Sequence, residues 1–444
     1  MKEKNKVFSD IPVKKAVFKM AVPSVISSLV LVVYNMADTF FVGQTHDAMQ
    51  VAAVSLTNPV FVMFMAFANL LGIGGSTAVS IFLGEKNNLQ AKSVSAFSCY
   101  ISIILGVISG VLILIFMNPL LKILGSSPNT YKFAEDYLFY IALGAPFILF
   151  ANAFGHTVRG EGAASASMIG GMIGTVVNII LDPIFILTFK MGTAGAAVAT
   201  VLGNIFSCVY YIYYFQKKSP NLSIAFKNFN FFGKAAKRTV SLGIPAGINS
   251  ALMSISNVVL NNKLVSYGDA PVAAMGVVTK VYLLIVFIHM GITNGIQPLL
   301  GYCFGAKKKD RFIKIFNFSG MLTVIIGTIF TILYIVFSSQ IIELFINNKE
   351  VIKYGKSMLI ATSIPGPILG ILFLCINSMQ SVDRPLPATA LSICRQGFIF
   401  IPLLYIFDSV FGLTGINYTQ TAADYISVVL SIVLFKISLK NLRS

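Results

Sequence analysis

Two stretches decide the fold: VAAVSLTNPVFVMFMAFANLLGIGGSTAVSIFLGEK (51–86) and VAAMGVVTKVYLLIVFIHMGITNGIQPLLGYCFGAK (272–307). They align without a gap at an offset of 221 residues, open on Val-Ala-Ala and close on Gly-x-Lys. Only seven of the 36 aligned positions are identical, so the duplication needs support from elsewhere in the chain. That support comes from Pro23 and Pro245, each followed by a serine (Ser28, Ser250), from Asp47 and Asp269, and from Pro146 and Pro365. Each stretch also exceeds the roughly 20 apolar residues with which a helix crosses hydrocarbon. The reading is an internally duplicated membrane protein.

Outward from these two runs, further apolar runs occupy 17–42, 92–116, 131–155, 163–188 and 194–216 in the first half. The second half adds 239–262, 312–338, 353–379, 386–410 and 418–438, with the two repeat runs read as spans over 52–83 and 272–303. The pattern predicts an all-α membrane protein of twelve transmembrane helices in two pseudo-symmetric six-helix lobes. The boundaries are 1–216 for the first lobe, 217–238 for a basic cytoplasmic linker and 239–444 for the second. Halves separated by an even number of helices share one orientation, and transporters use such parallel repeats around a central site.

Composition agrees. Charged residues make up 11% of the chain against about 25% in soluble domains, so the surface faces lipid. The net charge of +17 does not indicate nucleic acid, because the basic residues cluster between apolar runs. The five cysteines lie singly inside apolar runs and read as small buried hydrophobes. The N-terminal MKEKNKVFSDIPVKK lacks a signal peptide's apolar core and cleavage site. With that end inside, 24 Lys and Arg fall in inside segments and 7 in outside ones. The positive-inside rule therefore predicts a multi-pass protein of the cell (inner or plasma) membrane with both termini cytoplasmic.

Carboxylates at mid-membrane are costly and usually functional. Asp38 and Asp182 are the clear cases, whereas Asp408 and Asp424 read as solvated helix ends. Tyr34, Asn35 and Asp38 share one face of the first helix by spacing. Asn178 and Asp182 share a face of the fifth, and Thr200 and Asn204 a face of the sixth. Their carboxylate, amide and hydroxyl oxygens suit a hard cation such as Na⁺. Two carboxylates close together in a low dielectric also suit a proton. The competing reading is helix-to-helix hydrogen bonding, with Asp182-Pro183 ending a helix. Pro23 interrupts the first helix and is read as a hinge that responds to the ion. In the second half, Lys280, His289, Asn257, Asn377 and Arg395 are candidate cavity residues. Lys280 and Arg395 call for partners and His289 is also read as core packing, so this half is polar but not acidic.

The run DTFFVGQ through VAAVSL (Asp38 to Leu56) resembles the signature of the MATE (multidrug and toxic compound extrusion) family. HTVRGEG (156–162) and SVDRPLP (381–387) resemble that family's paired loops, and the resemblance spans the chain, nearest the MepA-like bacterial branch. It implies a cation site formed by Asp38, Asn178, Asp182 and Thr200, with the Ala196 carbonyl as a further ligand. It also implies antiport: Na⁺ or H⁺ enters and organic cations leave, with no cofactor beyond that ion. A monomer is expected. Some branches carry acidic residues in the seventh and tenth helices; this chain has Asn and Gln there. A lipid-linked oligosaccharide flippase of the same superfamily is the alternative, but only Lys280 and Arg395 could hold its diphosphate. An enzyme is not expected, since His46, His156 and His289 are scattered and no Cys/His motif exists. A fluorescent protein fused after Ser444 should glow inside intact cells, while alkaline phosphatase at the same point should stay inactive. The opposite pattern would invert the orientation.

Overall fold

The computed structural model describes residues 7–45 and 47–440; His46 and the side chains of Asn35, Asp38, Thr39 and Lys440 lie outside the described residues. Five spans of the first half are Val13–Gly43, Ala48–Gly84, Asn88–Ile115, Pro128–Gly160 and Gly192–Lys217. The fifth in chain order is Ala164–Pro183, continued by a π-helical turn, Ile184–Thr188. The second half begins with Lys234–Val265, Asp269–Gly305 and Lys309–Val336. Its tenth span is a pair, Lys349–Ser363 and Gly366–Ser381, bent by 47°. Pro365 and Pro367 flank the bend and remove the backbone donors that a straight helix would need.

The last helical stretch, Pro385–Leu439, runs for 55 residues, more than twice one crossing. It divides at Gly412, whose φ of 59° and ψ of −141° are not helical. A positive φ is cheap only for glycine, which is why the break falls there. The expected loop between 410 and 418 is therefore a single-residue break with helix on both sides. With that division the twelve predicted crossings are present, and the overlong second and eighth runs are unbroken helices of 37 residues each.

The duplication is visible in the backbone itself. Lys86 and Lys307, 221 apart, both take left-handed angles, with φ of 60° and 56°. The residue after each donates back to the helix end at 2.8 Å, Asn87 N to Phe82 O and Lys308 N to Cys303 O. These are matching helix-terminating turns. Gly162 and Asp383, again 221 apart, are also left-handed. Phe116 and Phe337 end the third and ninth spans with nearly identical angles, φ −101°, ψ 23° and φ −102°, ψ 18°.

The chain forms two compact units, one of Met1–Ile11 with Ile26–Gly247 and the other of Pro12–Val25 with Ile248–Ser444. The first and seventh spans thus each contribute to both. In the first unit, a Cβ on Gly74 would lie 2.8 Å from the Gly243 Cα, so the second and seventh spans touch backbone to backbone. In the second unit, a Cβ on Gly295 would lie 3.0 Å from the Ala21 Cα and 2.8 Å from the Met20 oxygen. Between helices in lipid, such close approach replaces the hydrophobic effect as the source of association. Each unit has its own core: Phe64, Leu138, Ile141 and Leu149 in the first, Ile285, Leu359 and Leu404 in the second.

Gly106 faces Pro146 and Gly327 faces Gly366, again 221 apart, with built Cβ atoms 2.7 Å from the Pro146 nitrogen and the Gly366 carbonyl carbon. Gly106→Val and Gly327→Val should each cost about 1–3 kcal/mol by overpacking and lower the melting temperature of the purified protein. Gly171→Ala, with nothing within 4 Å, should leave it unchanged or slightly raised. Equal melting temperatures for all three would refute this account of the packing.

Candidate ion and ligand sites

In the first unit, the fifth and sixth spans approach through glycines. A Cβ on Gly203 would meet the Gly174 oxygen at 2.5 Å and the Asn178 Cβ at 3.2 Å. That proximity brings Asn178 to Thr200. The Asn178 Nδ2 donates to the Asp182 Oδ1 at 3.2 Å and lies 3.4 Å from the Thr200 Oγ1. The Tyr34 hydroxyl sits 3.1 Å from the same Thr200 oxygen. Asn178, Asp182, Thr200 and Ala196 are all buried, Ala196 one turn before Thr200. The Asn178 Oδ1 has no hydrogen-bond partner among the described residues. A buried acceptor without a donor is uncommon and calls for something positive beside it. This oxygen, the Asp182 carboxylate and the Thr200 hydroxyl are donor types that a hard cation takes, while the amide nitrogen is the atom that faces the other two here.

Other expected members fall elsewhere. Asn204 gives its amide to the Thr200 carbonyl of its own helix, 2.8 Å away. The Asp38 and Asn35 side chains lie outside the described residues. Pro23 lies in the second unit, two residues before the first span crosses into the first. Asp182-Pro183 does not end the fifth span: the path continues as the π turn Ile184–Thr188. Proline removes the N–H that would reach back four residues, and the wider turn accommodates the loss.

The second unit contains a carboxylate that the sequence reading set aside as a solvated helix end. Asp424 is fully buried and accepts from the Arg395 Nε at 2.8 Å. It also accepts from the Gln420 amide at 2.9 Å and the Tyr282 hydroxyl at 3.3 Å. The C-terminal half is therefore acidic as well as polar, and Arg395 has the partner its burial requires. The missed signal was spacing: Asn417, Gln420 and Asp424 lie at i, i+3 and i+7, one face of a helix. Asp408 does lie near the surface, paired with Lys263 at 2.8 Å.

Arg395 and Gln396 sit in a second π turn, Cys394–Ile399, and Ser256 donates to the Gln396 carbonyl at 2.6 Å. These residues border a cavity of about 110 Å³ wholly within the second unit, also lined by Asn257, Asn417, Met253 and Phe400. The remaining expected cavity residues do not line it. His289 is buried in the core with its ring nitrogens 2.9 and 3.1 Å from the Ile285 and Thr323 carbonyls. Asn377 donates to Asn294 at 2.9 Å. Lys280 is exposed, and its amine makes no ion pair or hydrogen bond among the described residues.

Two six-span repeats, each with a buried polar cluster, define a polytopic membrane transport protein. The MatE family model matches the chain twice, over residues 23–184 and 245–406, and this chain belongs to that family. The two matches restate the internal duplication. The multidrug export protein MepA of Staphylococcus haemolyticus (strain JCSC1435) is 32% identical over 437 residues, covering 98% of this chain and 95% of that relative. MepA of Staphylococcus aureus (strain NCTC 8325 / PS 47) is 32% identical over 421 residues, 94% and 92% of the two chains. Among solved structures, a MATE crystal structure in the straight conformation superposes with a TM-score of 0.94 at 24% identity, covering 100% of this chain and 99% of that one. A MOP superfamily transporter from Pyrococcus furiosus Vc1 gives the same score, identity and coverage. These structural likenesses bear on the fold.

The buried ion pair makes a stability prediction. Arg395→Ala leaves Asp424 uncompensated and should destabilise by about 3–5 kcal/mol, whereas the double change Arg395→Met with Asp424→Leu should cost far less. Thermal unfolding of the purified proteins reads the difference; a double variant no more stable than the single would remove the case for pairing.

Proposed function

We propose that this chain is a secondary active multidrug exporter that releases organic cations in exchange for Na⁺ or H⁺ by alternating access. The observation that carries the reading is the buried Asn178–Asp182–Thr200 cluster, whose Asn178 amide oxygen has no partner among the described residues. The named function of the MepA relatives supports export as the direction. In this reading Asp38 and the Ala196 carbonyl complete the ion site. The protein acts as a monomer in the cell membrane with both termini cytoplasmic, and lobes 1–216 and 239–444 move through linker 217–238.

The coupling follows from charge. When the site opens outward, the entering ion cancels one of the two negative charges of Asp182 and Asp38, and the organic cation loses part of the attraction that held it. Linkage requires the converse: a bound organic cation weakens the ion by the same factor. Tyr34 joins the first span to Thr200, so ion binding acts on a helix that contains Pro23. A proline leaves one backbone hydrogen bond unmade and makes bending there cheap.

Efflux of ethidium from cells lacking their own pumps tests the proposal. Asp182→Asn should lower active export by about tenfold or more, within the range of a lost coupling free energy, with normal expression. Pro23→Ala should change its dependence on the ion. Varying Na⁺ and pH separately identifies the ion. Export by well-expressed Asp182→Asn at the wild-type rate, under either gradient, would place coupling elsewhere.

A further inference from the structure

The cavity beside Arg395 has no part in the ion coupling described above. We propose that it binds a neutral molecule bearing an amide-type group on an aromatic body, a ligand class apart from organic cations.

Charge sets the class. Arg395 and Asp424 neutralise one another at 2.8 Å, and both side chains are buried. Both oxygens of Asp424 are already engaged, Oδ1 by Arg395 and Gln420 and Oδ2 by Tyr282. An organic cation entering here meets a carboxylate whose charge is spent and a guanidinium beside it. A carboxylate ligand meets Asp424. A neutral ligand meets neither penalty, because it leaves the buried charges balanced.

Hydrogen bonding sets the functional group. A guanidinium has five N–H donors, and Arg395 spends only its Nε; its Nη groups bond no described residue. The guanidinium carbon lies 5.1 Å from the centre of the Phe373 ring, a contact that holds the group in place. Asn257 also lines the cavity, half-buried, and its side-chain amide bonds no described residue. One wall thus offers unspent donors and another an accessible amide oxygen. A carboxamide answers both, its carbonyl accepting from Arg395 and its N–H donating to Asn257. Met253, Met275 and Met290 line the rest, and thioether side chains adapt to flat apolar bodies. The volume of about 110 Å³ confines the enclosed part to a small ring and its substituent. The π turn that carries Arg395 and Gln396 is a distortion that helices retain mainly at functional positions.

The test is a titration of the full chain, purified into lipid nanodiscs, with 2-aminobenzamide, a neutral fluorescent aromatic carboxamide. The chain has no tryptophan, so little protein signal overlaps the probe. Saturable binding is expected with a Kd on the order of 0.1–1 mM for a probe of about ten non-hydrogen atoms. Arg395→Lys keeps the charge opposite Asp424 but loses the planar fork, and should weaken binding about tenfold or more. Asn257→Leu keeps the ion pair and the volume, and should weaken it about three- to tenfold. The cationic analogue 2-aminobenzylamine should bind at least about tenfold more weakly than the amide. Absence of saturable binding by the wild type, wild-type affinity in the variants, or equal affinity for the cation would each overturn the proposal. If Arg395→Lys does not fold, Asn257→Leu decides alone. Equilibrium binding needs no ion gradient, so this result stands or falls separately from the coupling proposal.

Discussion

Inside hydrocarbon no water satisfies a backbone N–H or C=O, so each must be bonded within its own helix or beside protein. That constraint makes every span helical and leaves few ways to vary them. The variations this chain uses are local: the proline-flanked bend at Pro365, the glycine break at Gly412, and the two π turns. They are not scattered. One π turn begins two residues after Asp182, the other contains Arg395, and Gly412 lies between Asp408 and Asn417. Where a helix departs from its regular bonding, carbonyls become available to side chains, as the Gln396 carbonyl does to Ser256. Polar side chains and backbone irregularity stabilise one another in a setting where neither finds water.

Much of this was legible in the sequence, for a physical reason. Crossing a bilayer takes a fixed length of apolar residues, so span number and approximate ends follow from hydropathy, and twelve crossings emerge in the predicted places. The offset of 221 residues, marked by Val-Ala-Ala and Gly-x-Lys, reappears as shared backbone angles at Lys86 and Lys307. The approach of Asn178, Asp182 and Thr200 was also foreseeable, since helical spacing aligns the first two. Asp424 was not recognised, because proximity to a helix end was taken for exposure. Its partner is 29 residues away across the break at Gly412, a relationship that periodicity within one helix cannot reveal. His289 was ambiguous for a similar reason: whether a buried imidazole faces a cavity or neighbouring carbonyls depends on packing, not on sequence spacing.

The duplicated halves share a backbone but not a chemistry. In the first, Asp182 accepts from a neutral amide, and a buried oxygen on Asn178 has no partner among the described residues. In the second, Asp424 is held by a guanidinium, an amide and a phenol. The first arrangement gains from an added positive charge; the second is already neutral and loses from either sign. Duplication supplied two equivalent frameworks, and substitutions in the polar interior gave them different polar groups. The divergence reaches some glycine contacts, since Gly174 of the first half stands where the second has Arg395 at the offset of 221, but Gly74 and Gly295 are glycine in both.

The same glycine contacts explain why the first and seventh spans have matching roles. The units divide at 25/26 and 247/248, positions 222 apart, each two residues after a helix proline (Pro23) or its counterpart (Pro245). On one side of Pro23, Met20 and Ala21 are seated against Gly295; on the other, Tyr34 reaches Thr200. The first span therefore has one end set by backbone packing and the other by a hydrogen bond to Thr200. Proline between them is the position where the helix is least able to resist a change of angle. A rigid helix would transmit a shift at Tyr34 as translation and strain the Gly295 contact, where there is no spare room. A bend at Pro23, as the proposed hinge requires, would absorb the shift and leave that contact undisturbed.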